Sequence, residues 1–155
     1  MVKRAKVAKA TIVVDGCSSL NIVRLFGKVI SGKGEGSRYI ELTWVQQQIK
    51  EKLGFKPFPG TLNLCLDVES ERARQLLVEK VASDICHSRG YCVGLLFKAS
   101  IAGLTCGVVI PQVKSYPKDR LEIIAPTNLR QDLRLHDGDS VEIDVLLRHP
   151  SLASD

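Results

Sequence analysis

The spacing of hydrophobic residues along the chain predicts mainly β-structure. Five stretches rich in aliphatic and β-branched residues predict strands, namely 22–30, 91–101, 104–110, 121–125 and 141–147. Residues 61–66 also predict a strand, because they alternate, with leucines on one face and Thr61 and Asn63 on the other. Ala102-Gly103 is suited to a tight turn between two of these strands.

A period of three to four residues predicts two helices. The first helix ends at Gly54, and its apolar face consists of Leu42, Val45, Ile49 and Leu53. The second spans residues 67–83, and its apolar stripe consists of Ala73, Leu76, Leu77 and Val81. A short helical turn is predicted over 127–133, with Thr127 as its cap. Because helices do not separate the strands regularly, the pattern favours a small β-barrel with short helices packed outside over a doubly wound parallel sheet.

The composition suits one domain and an anionic ligand. The chain has 155 residues, of which 45% are hydrophobic, and no apolar run of about 18 residues that would suggest a membrane span. The net charge of +5 suits either a nucleotide or a nucleic acid. We predict a single barrel domain over residues 21–150. We also predict a basic extension over residues 1–20, whose charged residues include Lys3, Arg4, Lys6 and Lys9.

The five cysteines predict a reduced, cytoplasmic protein. Their number is odd and no CxxC pair occurs, so neither a disulfide framework nor a zinc site is indicated. Cys65 and Cys106 lie within apolar runs and are expected to be buried thiols. Cys86, His87 and Cys92 are close in sequence, but no fourth metal ligand accompanies them.

Residues 31–36, which read SGKGEG, separate two apolar runs and allow two interpretations. Glycines let backbone N–H groups converge on an anion, so the stretch would suit a phosphate. It matches neither the P-loop pattern nor the glycine pattern of dinucleotide-binding folds, and such a stretch between strands is more commonly a turn. These residues alone leave both interpretations open.

Three other polar stretches also have two interpretations. Thr61 and Asn63 place a hydroxyl and an amide oxygen side by side, which suits Mg²⁺, although a polar outer face on an edge strand is commoner. Glu122 lies in an apolar strand and is expected to face solvent unless it lines a cleft, where it would act as an acceptor or a base. Residues 127–130 offer backbone N–H groups and the guanidinium of Arg130, or form only a capped turn.

Taken in order along the chain, these stretches resemble the archaeal CTP-dependent riboflavin kinase family. The resemblance extends from about residue 26 to residue 145 and rests on GKVISGKGEGSRYI, GFKPFPGTLNLCL and GVVIPQVKSYPKDRLEIIAPTNLRQDLRLHDGDSVEI. It implies a six-stranded cradle-loop (RIFT-like) β-barrel. It also implies transfer of the γ-phosphoryl group of CTP to the ribityl 5′-hydroxyl of riboflavin, giving FMN and CDP, with Mg²⁺ as cofactor.

The resemblance implies roles for individual residues. Thr61 and Asn63 would bind Mg²⁺, and Ser115 and Glu122 would contact the flavin, with Glu122 also catalytic. The residues that would hold the nucleotide are Gly32, Lys33, Gly34, Glu35, Gly36, Ser37, Arg38, Thr127, Asn128, Leu129 and Arg130. The family often has an arginine directly after GEG and a threonine where Ser115 stands, and residues 67–90 form an elaboration where the resemblance is weakest.

Two other functions remain open. A nucleic-acid-binding barrel or transcription regulator would suit the basic charge, but the basic residues are not concentrated on one element and aromatic residues make up only 5%. A small-molecule-binding barrel without catalysis is disfavoured only by the resemblance. We therefore expect CTP or CDP and riboflavin or FMN as partners, no nucleic acid, no membrane, and a monomer.

Overall fold

The structure is a computed structural model, which describes residues 12–14, 20–32, 40–80, 83–86, 92–112 and 114–148. In chain order its elements are β1 (Ile12–Val14), β2 (Leu20–Ile30), α1 (Thr43–Leu53), β3 (Leu62–Leu66), α2 (Val68–Lys80), β4 (Ser83–Cys86), β5 (Cys92–Ile101), β6 (Leu104–Pro111), β7 (Arg120–Ile124), α3 (Leu129–Asp132) and β8 (Ser140–Arg148). None of these helices has the length and apolar character needed to span a membrane.

Six strands close into an antiparallel barrel. Their order around the barrel is β2, β3, β7, β6, β5 and β8, and β8 pairs again with β2. β1, which falls within the predicted basic extension, pairs with β2, and β4 pairs with β5. The arrangement confirms the predicted mainly β fold, a six-stranded barrel with short helices.

The interior of the barrel is filled by aliphatic side chains that alternate with outward-facing residues. The leucine face of β3 points inward as predicted, and Leu64 is fully buried together with Leu25 of β2 and Ile143 of β8. Because successive side chains of a strand point to opposite faces, Asn63 points out of the barrel. The outer surface around β3 is where three of the predicted site residues meet, namely Thr61, Asn63 and Glu122.

α1 covers a different part of the outer surface. It packs onto three neighbouring strands through an apolar cluster that includes Val45, Ile49, Leu96, Val109 and Ile124. The helix ends at Gly54 as predicted, where φ is +84°, a left-handed conformation that glycine adopts without strain. The predicted apolar face is correct except at Leu42, which occupies the N-cap and is exposed.

α2 differs from its prediction in its end and in its buried face. The helix ends at Lys80, and Ser83 already begins β4, a strand that was not predicted. Leu76 is 50% exposed, whereas Ser70 and Arg74 are buried beside Leu77. Polar residues take these buried positions because they meet backbone groups: Ser70 Oγ accepts a hydrogen bond from a backbone N–H, and Arg74 Nε donates one to a carbonyl oxygen. A hydrophobic stripe cannot predict such contacts.

The remaining structural predictions have mixed outcomes. Ala102 and Gly103 form the predicted turn between β5 and β6. Cys106 is buried as expected, and burial raises the pKa of its thiol to about 12, whereas Cys65 is only partly buried. Val81, the basic residues of the N-terminal extension, His87, and the side chains of Cys86 and Cys92 lie outside the described residues.

Candidate functional site

Two groups of polar side chains on the outside of the barrel form the candidate site. The first, called here the Glu122 group, contains Thr61, Asn63, Tyr116 and Glu122. The second, called the Asp137 group, contains Ser31, Arg130 and Asp137. The glycine-rich stretch starts next to both groups, because Ser31 belongs to the second and Gly32 packs against Asn63 of the first.

The Glu122 group is assembled by the register of three strands. Asn63 of β3 pairs with Glu122 of β7 on one side and with Ile30 of β2 on the other. Directly paired residues have their side chains on the same face of the sheet. This face is the outer one, because the next pair, Leu64 and Leu121, is buried in the barrel core.

Glu122 is buried, with only 3% of its surface exposed. Its Oε1 accepts a hydrogen bond from the Thr61 hydroxyl at 3.2 Å, and its Oε2 accepts one from the Tyr116 hydroxyl at 2.5 Å. Of the two alternatives for Glu122, exposure to solvent is excluded, because it lies on the outer face but neighbouring side chains cover it. The hydroxyl donors of Thr61 and Tyr116 offset the cost of burying this carboxylate, since an unpaired polar group is costly to bury.

Thr61 and Asn63 are neighbours, as the alternation of the strand predicts. Asn63 is 8% exposed and donates from Nδ2 to Thr61 Oγ1 at 3.2 Å. With Glu122 they provide hydroxyl, amide and carboxylate oxygens, which are hard donors that suit a divalent cation such as Mg²⁺. Among the described residues, no three His, Cys, Asp or Glu side chains are grouped as a metal site. A cation at this position would therefore rely partly on neutral oxygens.

Gly32 places the start of the glycine-rich stretch directly against Asn63. A Cβ atom at Gly32 would lie 2.4 Å from Nδ2 of Asn63, so this contact is possible only without a side chain. The other predicted nucleotide-binding residues of this stretch lie outside the part of the chain that the structure describes, namely Lys33, Gly34, Glu35, Gly36, Ser37 and Arg38.

Asp137 connects the start of the glycine-rich stretch to Arg130. Its Oδ2 accepts a hydrogen bond from the Ser31 hydroxyl at 2.7 Å, and its Oδ1 accepts one from Arg130 Nη2 at 2.9 Å. The same guanidinium nitrogen lies 3.4 Å from the carbonyl oxygen of Ile30. The hydrogen bonds from Ser31 and Arg130 lower the pKa of Asp137, so its carboxylate is charged at neutral pH.

Residues 127–130 line a cavity that also reaches Thr61. Its volume is about 220 Å³, and its lining includes Gly60, Thr61, Thr127, Asn128 and Arg130. The cavity therefore brings one predicted metal ligand together with the second predicted nucleotide-binding segment. Leu129 belongs to the barrel core, which leaves its backbone rather than its side chain for contact with a ligand.

The cap of the short helix α3 differs from its prediction. Asn128, and not Thr127, is the N-cap residue, and its Oδ1 accepts a hydrogen bond from the backbone N–H of Gln131 at 3.1 Å. Thr127 instead donates its hydroxyl to Oδ2 of Asp132 at 2.5 Å. Both residues are good helix caps, so their order in the sequence does not decide which one caps the helix.

Ser115 is not brought into the Glu122 group by any hydrogen bond between described residues, and it is exposed. Its neighbour Tyr116 takes that position, although it was not predicted as a site residue. The sequence signal that could have indicated Tyr116 is its position as a single aromatic residue in a polar loop just before the strand of Glu122. Asp137 was also missed, because its sequence context indicates only a turn.

The extent of the barrel agrees with a known family. The family model CTP-dep_RFKase, described as "Domain of unknown function DUF120", matches residues 29–145, from the end of β2 to within β8. Riboflavin kinase from Pyrobaculum aerophilum is 46% identical over 132 residues, which are 81% of this chain and 61% of that protein. The chain belongs to the CTP-dependent riboflavin kinase family. The resemblance noted from the sequence is thereby confirmed.

Two other archaeal riboflavin kinases are 40% identical to this chain. The Ignicoccus hospitalis protein is 40% identical over 125 residues, which are 78% of this chain and 70% of that protein. The Pyrobaculum arsenaticum protein is 40% identical over 132 residues, which are 81% of this chain and 61% of that protein. The chain thus spans 61% of the length of the riboflavin kinases from Pyrobaculum aerophilum and Pyrobaculum arsenaticum.

Proposed function

We propose that the protein is a CTP-dependent riboflavin kinase, which transfers the γ-phosphoryl group of CTP to the ribityl 5′-hydroxyl of riboflavin and releases FMN and CDP. The observation that carries this proposal is the buried carboxylate of Glu122 beside Thr61 and Asn63, on the face where the glycine-rich stretch begins. Phosphoryl transfer requires positioned phosphates, neutralised charge and an oriented hydroxyl, and these groups are suited to supply each of them.

The nucleotide would lie between the glycine-rich stretch and residues 127–130. The Asp137 group supports this placement, because it ties Ser31 at the start of one segment to Arg130 at the end of the other. Arg130 suits a phosphate, since its planar guanidinium can donate two parallel hydrogen bonds. We propose that residues 32–38 and 127–130 bind CTP in this way.

Thr61 and Asn63 would hold Mg²⁺ through their hydroxyl and amide oxygens. The donor set supports this role, because the Thr61 hydroxyl lies within hydrogen-bonding distance of both the Glu122 carboxylate and the Asn63 side-chain amide. When bound, Mg²⁺ would neutralise negative charge on the phosphate oxygens. This chain's own residues would then position the reacting hydroxyl and take up its proton.

Glu122 would act as the general base. The ribityl oxygen forms a bond to the γ-phosphorus, the bond from that phosphorus to the β,γ-bridging oxygen breaks, and the hydroxyl proton passes to Glu122. Oε1 suits this step, since among the described residues its hydrogen-bond donor is the Thr61 hydroxyl alone, which a substrate hydroxyl can replace. Ser115, exposed beside Tyr116, would contact the flavin.

Product formation from purified protein tests the proposal. The protein is incubated with riboflavin, Mg²⁺ and either CTP or ATP, and FMN is separated by chromatography. We expect FMN with CTP and much less with ATP. Glu122→Gln should lower kcat by about a hundredfold and change the KM for CTP by less than about twofold, because general-base catalysis contributes to turnover rather than to nucleotide binding.

The alternatives give different results in the same assay. No FMN with any nucleotide, together with tight binding to DNA, would favour the nucleic-acid-binding barrel. Riboflavin or nucleotide binding without FMN would favour a small-molecule-binding barrel. FMN formed equally well from ATP would keep the kinase and remove the preference for CTP.

A further inference from the structure

We propose that Tyr116 is a positioning residue that orients the carboxylate of Glu122, and that Arg74 of α2 fixes Tyr116 in place. The inference rests on the proposed function, and it assigns a role to two residues outside the predicted site. It also gives a purpose to part of the elaboration at residues 67–90, because α2 lies within it.

The hydrogen bonds of Glu122 are not equivalent. Thr61 bonds Oε1 from within the region proposed for Mg²⁺ and the substrate, so this bond has to be exchanged during the reaction. Tyr116 bonds Oε2 from the loop before β7, at 2.5 Å, a length typical of a strong bond between a hydroxyl and a carboxylate. Tyr116 can therefore fix the orientation of the Glu122 carboxylate while Oε1 exchanges the Thr61 hydroxyl for the substrate hydroxyl.

Tyr116 is suited to remain a donor. It is partly buried, and burial together with the hydrogen bond to Glu122 raises the pKa of its hydroxyl far above the usual range. The hydroxyl therefore keeps its proton at neutral pH. A phenol held in this state donates to Glu122 without competing for the proton of the substrate.

Arg74 connects α2 to both Tyr116 and the strand of Glu122. Its guanidinium carbon lies 5.9 Å from the centroid of the Tyr116 ring, a distance at which a cation attracts an aromatic face. Its Nε donates to the carbonyl oxygen of Arg120 at 2.9 Å, two residues before Glu122 in β7. Arg74 is 4% exposed, so these contacts are shielded from solvent. One buried side chain thus sets the distance between Tyr116 and the strand that carries Glu122.

A double-mutant cycle tests whether Tyr116 acts through Glu122. Tyr116→Phe keeps the ring that Arg74 contacts and removes only the hydroxyl. In the otherwise unchanged protein it should lower kcat by about tenfold or more while the KM for CTP changes by less than about twofold. In the Glu122→Gln background the same substitution should lower kcat by less than about twofold, because the carboxylate it orients is already absent.

Two further variants separate positioning from stability. Ser70→Ala removes another buried hydroxyl of α2, which bonds the backbone of Phe26 at 2.8 Å, and should lower Tm while leaving kcat within about twofold. Arg74→Lys keeps the charge and loses the Nε hydrogen bond. It should reduce kcat in the unchanged protein and not in the Glu122→Gln background, and it replaces Tyr116→Phe if that variant fails to fold.

The outcomes distinguish the two proposals. Equal losses of kcat in both backgrounds, or a loss below about twofold in the unchanged protein, would overturn the role of Tyr116 while FMN formation still supported the kinase. If the unchanged protein formed no FMN from any nucleotide, the proposed function would fail and the role of Tyr116 with it.

Discussion

At the candidate site, single residues matter both for the polar groups they contribute and for the solvent they exclude. Glu122 and Asn63 point out of the barrel and are nevertheless buried, because Tyr116, Thr61 and Gly32 pack around them. Solvent therefore competes little for their hydrogen bonds, which makes each bond stronger and each lost partner more costly. Gly32 contributes through the absence of a side chain, since its backbone touches the amide of Asn63.

Replacing Gly32 with alanine should impair activity more than stability. The new Cβ would lie 2.4 Å from Asn63 Nδ2, so the Asn63 side chain, which also bonds Thr61, has to shift. A displacement of this kind in a positioned group should lower kcat/KM for FMN formation by about tenfold to a hundredfold. Steady-state kinetics with CTP and riboflavin measure the effect.

Gly54→Ala is the matched control for that substitution. Gly54 has φ of +84° at the end of α1, and no atom of the described residues lies within 4 Å of a Cβ built there. Alanine at this position therefore brings backbone strain of about 1–2 kcal/mol without touching the site. We expect a lower free energy of unfolding and unchanged kcat/KM. Equal kinetic losses in the two variants would show that the effect of Gly32→Ala is global.

At the scale of elements, the turn between α3 and β8 joins parts of the chain that no strand pairing connects. Asp137 in this turn bonds Ser31 after β2 and Arg130 within α3. The two segments proposed to bind CTP are far apart in sequence, and this carboxylate connects Ser31 to Arg130, together with the hydrogen bond from Arg130 to the carbonyl oxygen of Ile30. The turn would thus be part of the proposed nucleotide site, although none of its residues was predicted as a site residue.

Asp137→Asn should raise the KM for CTP by about threefold to tenfold with little change in kcat, because it loosens the two segments without changing the Glu122 group. Its effect on stability should also depend on pH. The pKa of Asp137 is lowered from its ordinary value of 3.8, so its stabilising contribution is complete above that value and is lost as the pH falls through the lowered pKa.

Thermal unfolding across pH checks the second part of this prediction. The difference in Tm between the two proteins should be constant from about pH 7 to about pH 5 and should shrink in stronger acid. Asp144→Asn provides a control, because Asp144 pairs with Arg24 on a part of the barrel away from the site. A KM for CTP raised equally by Asp144→Asn would contradict a specific role for Asp137.

Strands and helices were largely predictable from sequence where their hydrophobic residues recur with one regular spacing. The leucines of β3 and the face of α1 have such periods, and both predictions are confirmed apart from Leu42. The buried face of α2 was not predictable, because Ser70 and Arg74 are buried through hydrogen bonds to distant backbone groups. Hydrophobicity carries no information about such partners, which only the closed barrel brings near.

The candidate site was predictable to a similar extent. Alternation in β3 predicts that Thr61 and Asn63 are neighbours, and the structure places them so. That Glu122 joins them depends on the pairing of β3 with β7, which the sequence of either strand alone does not contain. Tyr116 and Asp137 reach the site from a loop and a turn, where no periodic pattern indicates direction.

At the scale of the whole molecule, the residues that stabilise the barrel and the residues of the candidate site lie on opposite faces of its strands. The inward residues of its strands form one continuous core, while the Glu122 group lies on the opposite face of β3 and β7. A change inside the barrel should therefore reduce stability without altering the site, provided that the barrel remains closed.

Ile143→Ala tests this separation. Ile143 of β8 is fully buried in the core, so its truncation should lower the free energy of unfolding by about 2–5 kcal/mol. Urea unfolding measures this change, and kcat under folding conditions should be unaffected. Leu76→Ala, at an exposed position of α2, should change the free energy of unfolding by less than about 0.5 kcal/mol. Losses of similar size in the two variants would contradict the assignment of the core.

The alternation within β3 also determines which genetic changes the strand can tolerate. Substitutions at Asn63 or Cys65 alter one surface only, so the chemistry on the outside can vary while the leucines stay in place. Losing or gaining one residue within the strand would exchange the two faces, turning leucines towards the ligand and polar groups into the core. Divergence of β3 should therefore proceed by substitution, and length variation should be confined to the connections outside it.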